Sequence, residues 1–308
     1  MQAVTYMVLG SGVAALLLAW MVLVERQRFR VRRVVLDAGS LGLPPLKILH
    51  LTDAHFHGRD RPILRFLQGV RAREDFDLLL LTGDMLDSAA GLESVEEVLG
   101  MFAPRIGALA VLGGHDYAHL SALKAYRYLL THRSQQAFSG PNPADDLADC
   151  LRRHGARVLR DASATLAATD GRPFAVAGLR DAFVFEPDVD AAWSGLEPDL
   201  PVIAMAHSPD VVWDVCARGA RLAFFGHTHG GQVRLPVIGA VVTRSRIPRR
   251  LAHGTFRHGN TVFILNNGLG TSPAIPYRLL CPPEVTVAEL RTAPDPAELT
   301  PIREARLG

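Results

Sequence analysis

From residue 46 onward, short apolar runs alternate with segments of helical periodicity. Apolar, β-rich runs that stop at polar turns are typical of strands buried on both faces. Such strands are predicted at 46–53, 76–84, 108–116, 174–179, 201–207, 221–227 and 261–267. A last strand at 284–290 alternates apolar and polar residues, and helices are predicted at 63–72, 94–101 and about 209–218. This order of elements predicts an α/β fold of two packed sheets with flanking helices.

The first residues differ from the rest of the chain. Residues 3–24 are uncharged and apolar, which is long enough for a helix to cross a bilayer. No basic residue precedes this run and no small-x-small cleavage site follows it, which favours an uncleaved anchor over a signal peptide. Arginines 26, 28, 30, 32 and 33 come directly after it. The positive-inside tendency therefore predicts a single-pass protein whose large domain is cytoplasmic.

The domain organisation follows from these patterns. We expect a transmembrane anchor at 3–24, a basic juxtamembrane linker at 25–45, one domain at 46–290 and a flexible tail at 291–308. The 308 residues are 48% hydrophobic and 21% charged, which argues against disorder, and the net charge of +2 argues against a nucleic-acid partner. The cysteines at 150, 216 and 281 are widely spaced, so buried thiols are expected rather than disulfides.

Residues with metal-binding side chains follow five of the predicted strands. A lone histidine at a strand end is more often structural than a ligand, but five strands that all end in carboxylates or imidazoles are harder to explain. Burying so many ionisable groups without a cation is costly. Mixed His and Asp donors without thiolates suit Zn, Mn, Fe or Ni. The residues are Asp53, His55 and His57, then Asp84 and Asp87, then His115 and Asp116, then His207, and finally His227 and His229.

The spacing of these residues suits a pair of ions. His227 and His229 lie two apart on a turn and can reach two neighbouring positions, as can Asp53 and His55. Asp84 follows a glycine, so a tight turn lets its carboxylate reach both ions. Two divalent ions about 3.5–4 Å apart can share a hydroxide and bind a phosphate for in-line attack.

In chain order, the motifs are DxH, GDxxD, "GGHD", a single histidine and "GHTHGGQ". This series resembles the calcineurin-like metallophosphoesterases over roughly 46–290. The stretch "NNGLGTSPAIPYRLLCPPEVTVAEL" is similar to the membrane-anchored bacterial branch of that family. The resemblance implies a four-layer α-β-β-α sandwich with a dinuclear site at the strand ends, on a protein of the bacterial inner membrane.

The resemblance also implies roles for individual residues. Asp53, His55 and His229 would bind one ion, His207 and His227 the other, and Asp84 would bridge them. A metal-bound hydroxide would attack the phosphorus. His115 would donate a proton to the leaving oxygen or steady the transition-state phosphate, with Asp116 setting its orientation.

One position departs from the family pattern. The residue before the histidine of the third motif is usually an asparagine that binds the second ion, and here it is Gly114. The ion beside His207 and His227 should therefore bind more weakly, or take a water or another ligand. His57, Asp87 and Asn267 are candidate replacements, although a structural or substrate-facing role is the main expectation for each.

A second departure is an insertion at 118–155, where two helical segments flank a Gly-Pro-Asn-Pro turn. The apolar residues of the first segment would pack into the core or form a lid that grips an apolar substrate tail.

Two functions remain open from the sequence. The first is a membrane-anchored, dinuclear-metal hydrolase of a phosphoester or pyrophosphate, with membrane lipids and nucleotide-linked lipids as candidate substrates. The UDP-2,3-diacylglucosamine hydrolases of lipid A synthesis are one analogue within the wider family. The alternative is a scaffold or binding protein that kept the fold and lost turnover, for which Gly114 is the direct support.

Overall fold

Two β-sheets and the helices on their outer faces make up the body of the protein. The computed structural model describes residues 2–120, 138–271, 275–305 and 307. Strands of the first sheet, in spatial order, are β1 (Arg30–Asp37), β16 (Glu284–Arg291), β2 (Leu46–Leu51), β3 (Leu78–Thr82), β4 (Gly107–Val111) and β7 (Ala156–Val158). Strands of the second, in spatial order, are β17 (Arg303–Glu304), β14 (Gly254–His258), β15 (Thr261–Leu265), β11 (Leu222–Phe225), β10 (Val202–Ala206), β9 (Pro173–Gly178) and β8 (Ala162–Ala167). Two short ribbons complete the strands, β5 (Ala118–Leu120) with β6 (Phe138–Pro141) and β12 (Arg234–Leu235) with β13 (Gly239–Ala240).

Of the α-helices in the described residues, five cover the outer faces of the two sheets. The α-helices are α1 (Gln2–Ala19), α2 (Ala38–Leu41), α3 (Arg61–Arg71), α4 (Leu92–Met101), α5 (Gly114–Tyr117), α6 (Ala144–Arg153), α7 (Val189–Trp193) and α8 (Val212–Ala217). The third predicted helical segment begins as a 3-10 turn (Pro209–Val211) and continues as α8; the Ser208 hydroxyl caps the turn by accepting from the Asp210 N–H at 3.2 Å.

Side chains along the strands alternate between separate cores. Leu49, Leu79 and Leu81 pack outward against α3, α4 and α6, whereas Ile48 and Leu80 pack inward against the second sheet. A third core lies between the second sheet and α7 and α8. Three cores separate four layers, so the α-β-β-α order is confirmed.

The first helix extends beyond the body. α1 continues through a π-helical turn (Trp20–Val24) and a 3-10 turn (Glu25–Gln27). By length and composition alone, the 23-residue stretch Thr5–Gln27 is a candidate membrane span, and its apolar window is not buried in the protein.

The segment after this helix is docked rather than free. The Arg278 N–H donates to the Met21 carbonyl at 3.2 Å, and the Phe29 and Phe66 rings stack with centroids 5.2 Å apart. Residues 30–37, assigned to a linker from the sequence, form β1, which pairs in parallel with β16 over eight residues. The charged residues of "RVRRVVLD" do not form the continuous apolar run used to predict the other strands. They are tolerated in β1 because an edge strand exposes one side to water.

The C-terminal segment also differs from its prediction as a flexible tail. β17 pairs with β14, and the Thr300 N–H donates to the Val35 carbonyl at 2.9 Å. Leu307 is 6% exposed, and its carbonyl accepts from Trp213 Nε1 at 2.8 Å. Backbone hydrogen bonds and the buried side chains of Ala305 and Leu307 hold this segment against both sheets.

The insertion is described only in part. Its second predicted helix is present as α6, whose Leu147 and Leu151 pack into the outer core. The first predicted helical segment, with the proposed lid, falls largely at 121–137 and lies outside the described residues.

Candidate metal centre

The ends of strands from both sheets meet at one place. β2, β3 and β4 run parallel to one another, as do β9, β10 and β11, so within each set the carboxyl ends share an edge. Three groups of potential ligand atoms lie there, each within 4.8 Å of one another: Asp53, His55 and His229; Asp53, Asp84 and His207; and His55, Asp87 and His115.

The first group is held by short contacts between its donors. His229 Nε2 lies 3.2 Å from Asp53 Oδ1 and 3.0 Å from His55 Nε2. Two imidazole nitrogens and a carboxylate oxygen that converge in this way form a ligand set for a divalent ion. The structure therefore brings together the three residues expected to share one ion.

The second group joins the first through a carboxylate. Asp84 Oδ2 lies 3.1 Å from His207 Nε2 and 3.9 Å from His55 Nε2, so it stands between the two groups. The other nitrogen of His207, Nδ1, donates to the Thr82 carbonyl at 2.8 Å. That bond leaves the lone pair on Nε2, the atom that faces Asp84.

His227 stands at the edge of the second group. Its ring centroid is 5.2 Å from that of His207, and its Nε2 donates to the Arg244 carbonyl at 3.0 Å. This bond leaves Nδ1 as the nitrogen that carries a lone pair. The His227 backbone N–H also donates to the Asp53 carboxylate at 3.1 Å, which couples its turn to the first group.

The contacts of His115 differ from those expected. His115 Nδ1 pairs with Asp87 Oδ1 at 2.5 Å, and the same oxygen lies 3.4 Å from His55 Nδ1. The oxygens of Asp116 instead accept from the backbone N–H groups of Asp84, Leu86 and Gly113 at 2.8–2.9 Å. Asp87 is thus the residue that orients His115, and Asp116 shapes the turn that carries Asp84.

The backbone at the centre is strained. Asp53, His55, Asp84, His227 and His229 all have φ between 48° and 66°, a region that residues with side chains seldom adopt. Such strain collects at functional sites, where the surroundings enforce it. Gly113 is required for close approach, since a Cβ there would lie 2.3 Å from Asp84 Oδ1 and 2.7 Å from His207 Cγ.

The buried carboxylates of the centre raise the pKa values of two neighbouring histidines, His55 and His207. Burial acts to lower the pKa of His55, but Asp87 and Asp84 outweigh it and raise the pKa to about 9. Burial likewise opposes a charge on His207, yet Asp84 raises its pKa well above the ordinary value. A divalent cation among the same atoms would supply the positive charge that these protons provide.

The donors present fit such a cation. Among the described residues, the buried Nε2 of His207 makes no hydrogen bond of good geometry, although Asp84 Oδ2 is 3.1 Å away. Buried polar atoms are ordinarily paired, so an unpaired nitrogen aimed at a carboxylate is the geometry expected when both bind one ion.

The three candidate replacements for the missing asparagine lie in different surroundings. His57 is exposed, and Asp87 is engaged with His55 and His115. Asn267 lies under the "HTHGG" turn, where a Cβ at Gly230 would come within 2.0 Å of its Oδ1. Its Nδ2 donates to the Pro282 carbonyl at 3.1 Å.

Two residues near the centre were missed from the sequence. Asp181 is fully buried just after β9, and burial raises the pKa of its carboxyl group. It follows the strand predicted at 174–179, so the same strand-end pattern could have identified it.

Arg278, the second missed residue, is fully buried and carries no comparable signal. Its Nη2 donates to the carbonyls of Asn267 at 2.8 Å and Gly270 at 2.7 Å, and lies 3.4 Å from His229 Nδ1. It therefore supports the loop behind the first ligand group.

Comparisons with known proteins agree with this geometry. The family model described as "Calcineurin-like phosphoesterase" matches residues 46–231. The chain is 28% identical over 258 residues to "Uncharacterized metallophosphoesterase YkuE" of Bacillus subtilis, covering 82% of this chain and 81% of that protein. It is 28% identical over 250 residues to "Phosphodiesterase YaeI" of Escherichia coli, covering 80% and 82%. It is 28% identical over 280 residues to "UDP-2,3-diacylglucosamine pyrophosphatase LpxG" of Chlamydia trachomatis, covering 78% and 82%.

Proposed function

Because the chain belongs to the calcineurin-like phosphoesterase family and is a metal-dependent phosphoric ester hydrolase, we propose that it uses two divalent ions to cleave a phosphoester or pyrophosphate at the membrane surface. The observation that carries the proposal is the pair of ligand groups that share Asp53, with Asp84 Oδ2 lying between His207 and His55. The candidate ions are Mn, Zn, Fe and Ni.

Two bound ions would activate a water molecule and neutralise the phosphate charge. Asp53, His55 and His229 would hold one ion, His207 and His227 the other, and Asp84 both. The side chain of His115 is 15% exposed. Its Nδ1 pairs with Asp87, and the His115 imidazole would donate a proton to the leaving oxygen.

A cavity beside the centre supports a substrate that is reached from the membrane. It has a volume of about 550 Å³ and is lined by Arg26 and Phe29 of the docked juxtamembrane segment, by His57 and Arg59, and by His55 of the centre. Basic side chains at its wall suit a second anionic group of the substrate.

The lipid part of the proposal rests on position and on a relative. The candidate span ends at Gln27, which itself lines the cavity, so an anchored chain would hold the cavity mouth near the headgroups. The Chlamydia trachomatis relative is named for a diacylated, nucleotide-linked substrate. We therefore propose lipid-linked pyrophosphates as the substrate class, and the cytoplasmic face of a bacterial inner membrane as the location.

The test is an assay of the full chain in detergent after loading with Mn²⁺ or Zn²⁺. Hydrolysis of bis(p-nitrophenyl) phosphate and of UDP-2,3-diacylglucosamine is expected. His115→Asn should lower kcat about 10²–10⁴-fold at unchanged metal content, because general acid catalysis is lost. His154→Asn, at an exposed position on the end of α6, is the matched control.

Each outcome addresses a separate part of the proposal. Cleavage of the diester without the lipid substrate would refute the lipid-linked class. If the loaded protein cleaves neither, the scaffold alternative suggested by Gly114 is favoured.

A further inference from the structure

We propose that Asp181 supplies the ligand that Gly114 lacks, binding the ion next to His207 and His227 through its carboxylate. This inference rests on the proposed two-ion centre. It concerns a residue outside the motifs that carry the resemblance, and it explains how the centre is completed in this chain.

The fold delivers Asp181 to the correct edge. β9 pairs in parallel with β10, with Gly178 opposite Met205, and the Leu179 N–H donates to the Met205 carbonyl at 3.0 Å. His207 follows β10 directly, so the segment that leaves β9 emerges beside it. Asp181 lies three residues beyond the end of β9.

The turn that begins at Asp181 lies between His227 and the helix of Gly114. The Asp181 carbonyl accepts from the N–H groups of Val184 at 3.1 Å and Phe185 at 2.9 Å, which closes the turn. The Phe183 ring is 5.3 Å from the His227 ring. The Phe185 ring is 4.9 Å from that of Tyr117, the last residue of α5, and Gly114 is the first.

The carboxylate itself has a free coordination position. Asp181 is fully buried; its Oδ1 accepts from the Phe183 N–H at 3.1 Å, and within the described residues its Oδ2 has no partner. An unpaired buried carboxylate oxygen is costly unless a cation or proton meets it. A carboxylate oxygen is as suitable a ligand for Mn or Zn as the amide oxygen of asparagine, and it adds a negative charge.

The other candidates are less well placed. Asp87 already serves His55 and His115. Asn267 lies against Gly230, on the His229 side of the centre, although its Oδ1 also has no partner in the described part of the chain. Of these carboxylate and amide groups, Asp181 lies in the turn that contacts both His227 and α5.

The experiment counts bound ions and measures their affinity. Mn²⁺ is titrated calorimetrically into the full chain in detergent, and retained metal is counted by mass spectrometry after desalting. The wild type should hold two ions per chain, and Asp181→Ala should weaken the second by at least tenfold. Adding Gly114→Asn to Asp181→Ala should restore it, since the asparagine oxygen would return.

Controls separate a lost ligand from a damaged fold. Asp199→Ala removes an exposed carboxylate and should leave both ions bound. Asp181→Asn keeps the size of the side chain and one oxygen, so it should fold and retain the second ion better than Asp181→Ala. Rescue by Gly114→Asn would not be expected if Asp181→Ala only unfolded the protein.

The same measurements distinguish a failure of the two-ion proposal from a failure of the Asp181 proposal. A wild type that holds fewer than two ions overturns the two-ion centre and this inference with it. A wild type that holds two ions, with Asp181→Ala binding both as tightly, overturns the role of Asp181 alone.

Discussion

At the scale of single residues, the centre depends on backbone conformations that most side chains avoid. Left-handed backbone at a non-glycine residue costs about 1–3 kcal/mol, and Asp53, His55 and Asp84 all adopt it. Asp116 helps to enforce this geometry, because its Oδ2 accepts from the Asp84 N–H at 2.8 Å and from the Gly113 N–H at 2.9 Å. The "GGHD" motif therefore supplies a backbone turn that holds Asp84 in place, in addition to the imidazole of His115.

Asp87 allows a direct prediction at this scale. Asp87→Asn should lower kcat or metal affinity about 10–100-fold, because the amide is a weaker partner for His115 and His55 than the carboxylate. Steady-state kinetics with metal counting measures both effects. Asp199→Asn, at an exposed site, is the control, and full activity in Asp87→Asn would contradict the assigned role.

The burial of His50 leads to a prediction of how the free energy of unfolding depends on pH. Its ring is fully buried against Phe224, its Nε2 bonds Thr82 Oγ1 at 2.8 Å, and burial lowers its pKa to about 3. In the unfolded chain the same imidazole would bind a proton at about pH 6.5. The buried neutral ring therefore contributes its full stabilisation of the fold above that pH, and this contribution declines as the pH falls toward 3.

Because of His50, the free energy of unfolding should fall by roughly 1.4 kcal/mol for each unit that the pH is lowered below about 6.5. Urea unfolding of the full chain at pH 7 and pH 5 measures it. His50→Gln should have a shallower pH slope than the wild type, whereas His57→Gln, at an exposed position, should keep the wild-type slope. Equal slopes in all three proteins would refute this assignment.

At the scale of elements, the N-terminal region is part of the fold. β1 covers one edge of β16, while the other edge of β16 pairs with β2. Arg278 joins the N-terminal helical region to the centre, because its backbone N–H donates to the Met21 carbonyl and its guanidinium supports the loop beside His229. Residues 25–37 therefore have a structural role in the fold.

Two truncations test this role. A chain that begins at residue 25 keeps β1 and should fold, whereas one that begins at residue 46 should aggregate, because β16 is left with an unpaired edge. Soluble yield and thermal unfolding measure the difference. A stable, active chain that begins at residue 46 would show that residues 25–45 are a linker after all.

At the scale of the whole molecule, the centre joins the two sheets. Asp53 and His55 follow β2 of the first sheet, and His207 and His229 belong to segments after β10 and β11 of the second. A ligand that binds only the folded protein stabilises it by mass action. Ions held between these residues should therefore oppose separation of the sheets.

Metal removal tests this coupling. Mn²⁺ at 100 times its Kd should stabilise the fold by about 2.7 kcal/mol per site, and EDTA should reverse the rise in Tm. Asp84→Asn, which weakens the carboxylate between the two ligand groups, should reduce the metal-dependent shift. A shift as large in Asp84→Asn as in the wild type would place the metal elsewhere.

Local patterns in the sequence determined the central strands, the flanking helices and the list of candidate ligand residues. Buried parallel strands are continuous apolar runs, and polar residues directly after them are visible without tertiary information. Asp53, Asp84 and His207 could be identified for that reason. By contrast, the charged edge strand β1 and the ordered C-terminal segment gave no such pattern, since partners distant in sequence hold them.

Only the tertiary structure decided which residues serve one another. The partner of His115 is Asp87 rather than its neighbour Asp116, because the turn after β4 directs the Asp116 carboxylate into backbone N–H groups. The Asp181 oxygen that has no partner among the described residues, and the contact of Arg278 with the N-terminal helical region, likewise became visible only in three dimensions. Residue type and spacing specify the available chemistry, but distances between segments far apart in the chain depend on how the two sheets pack.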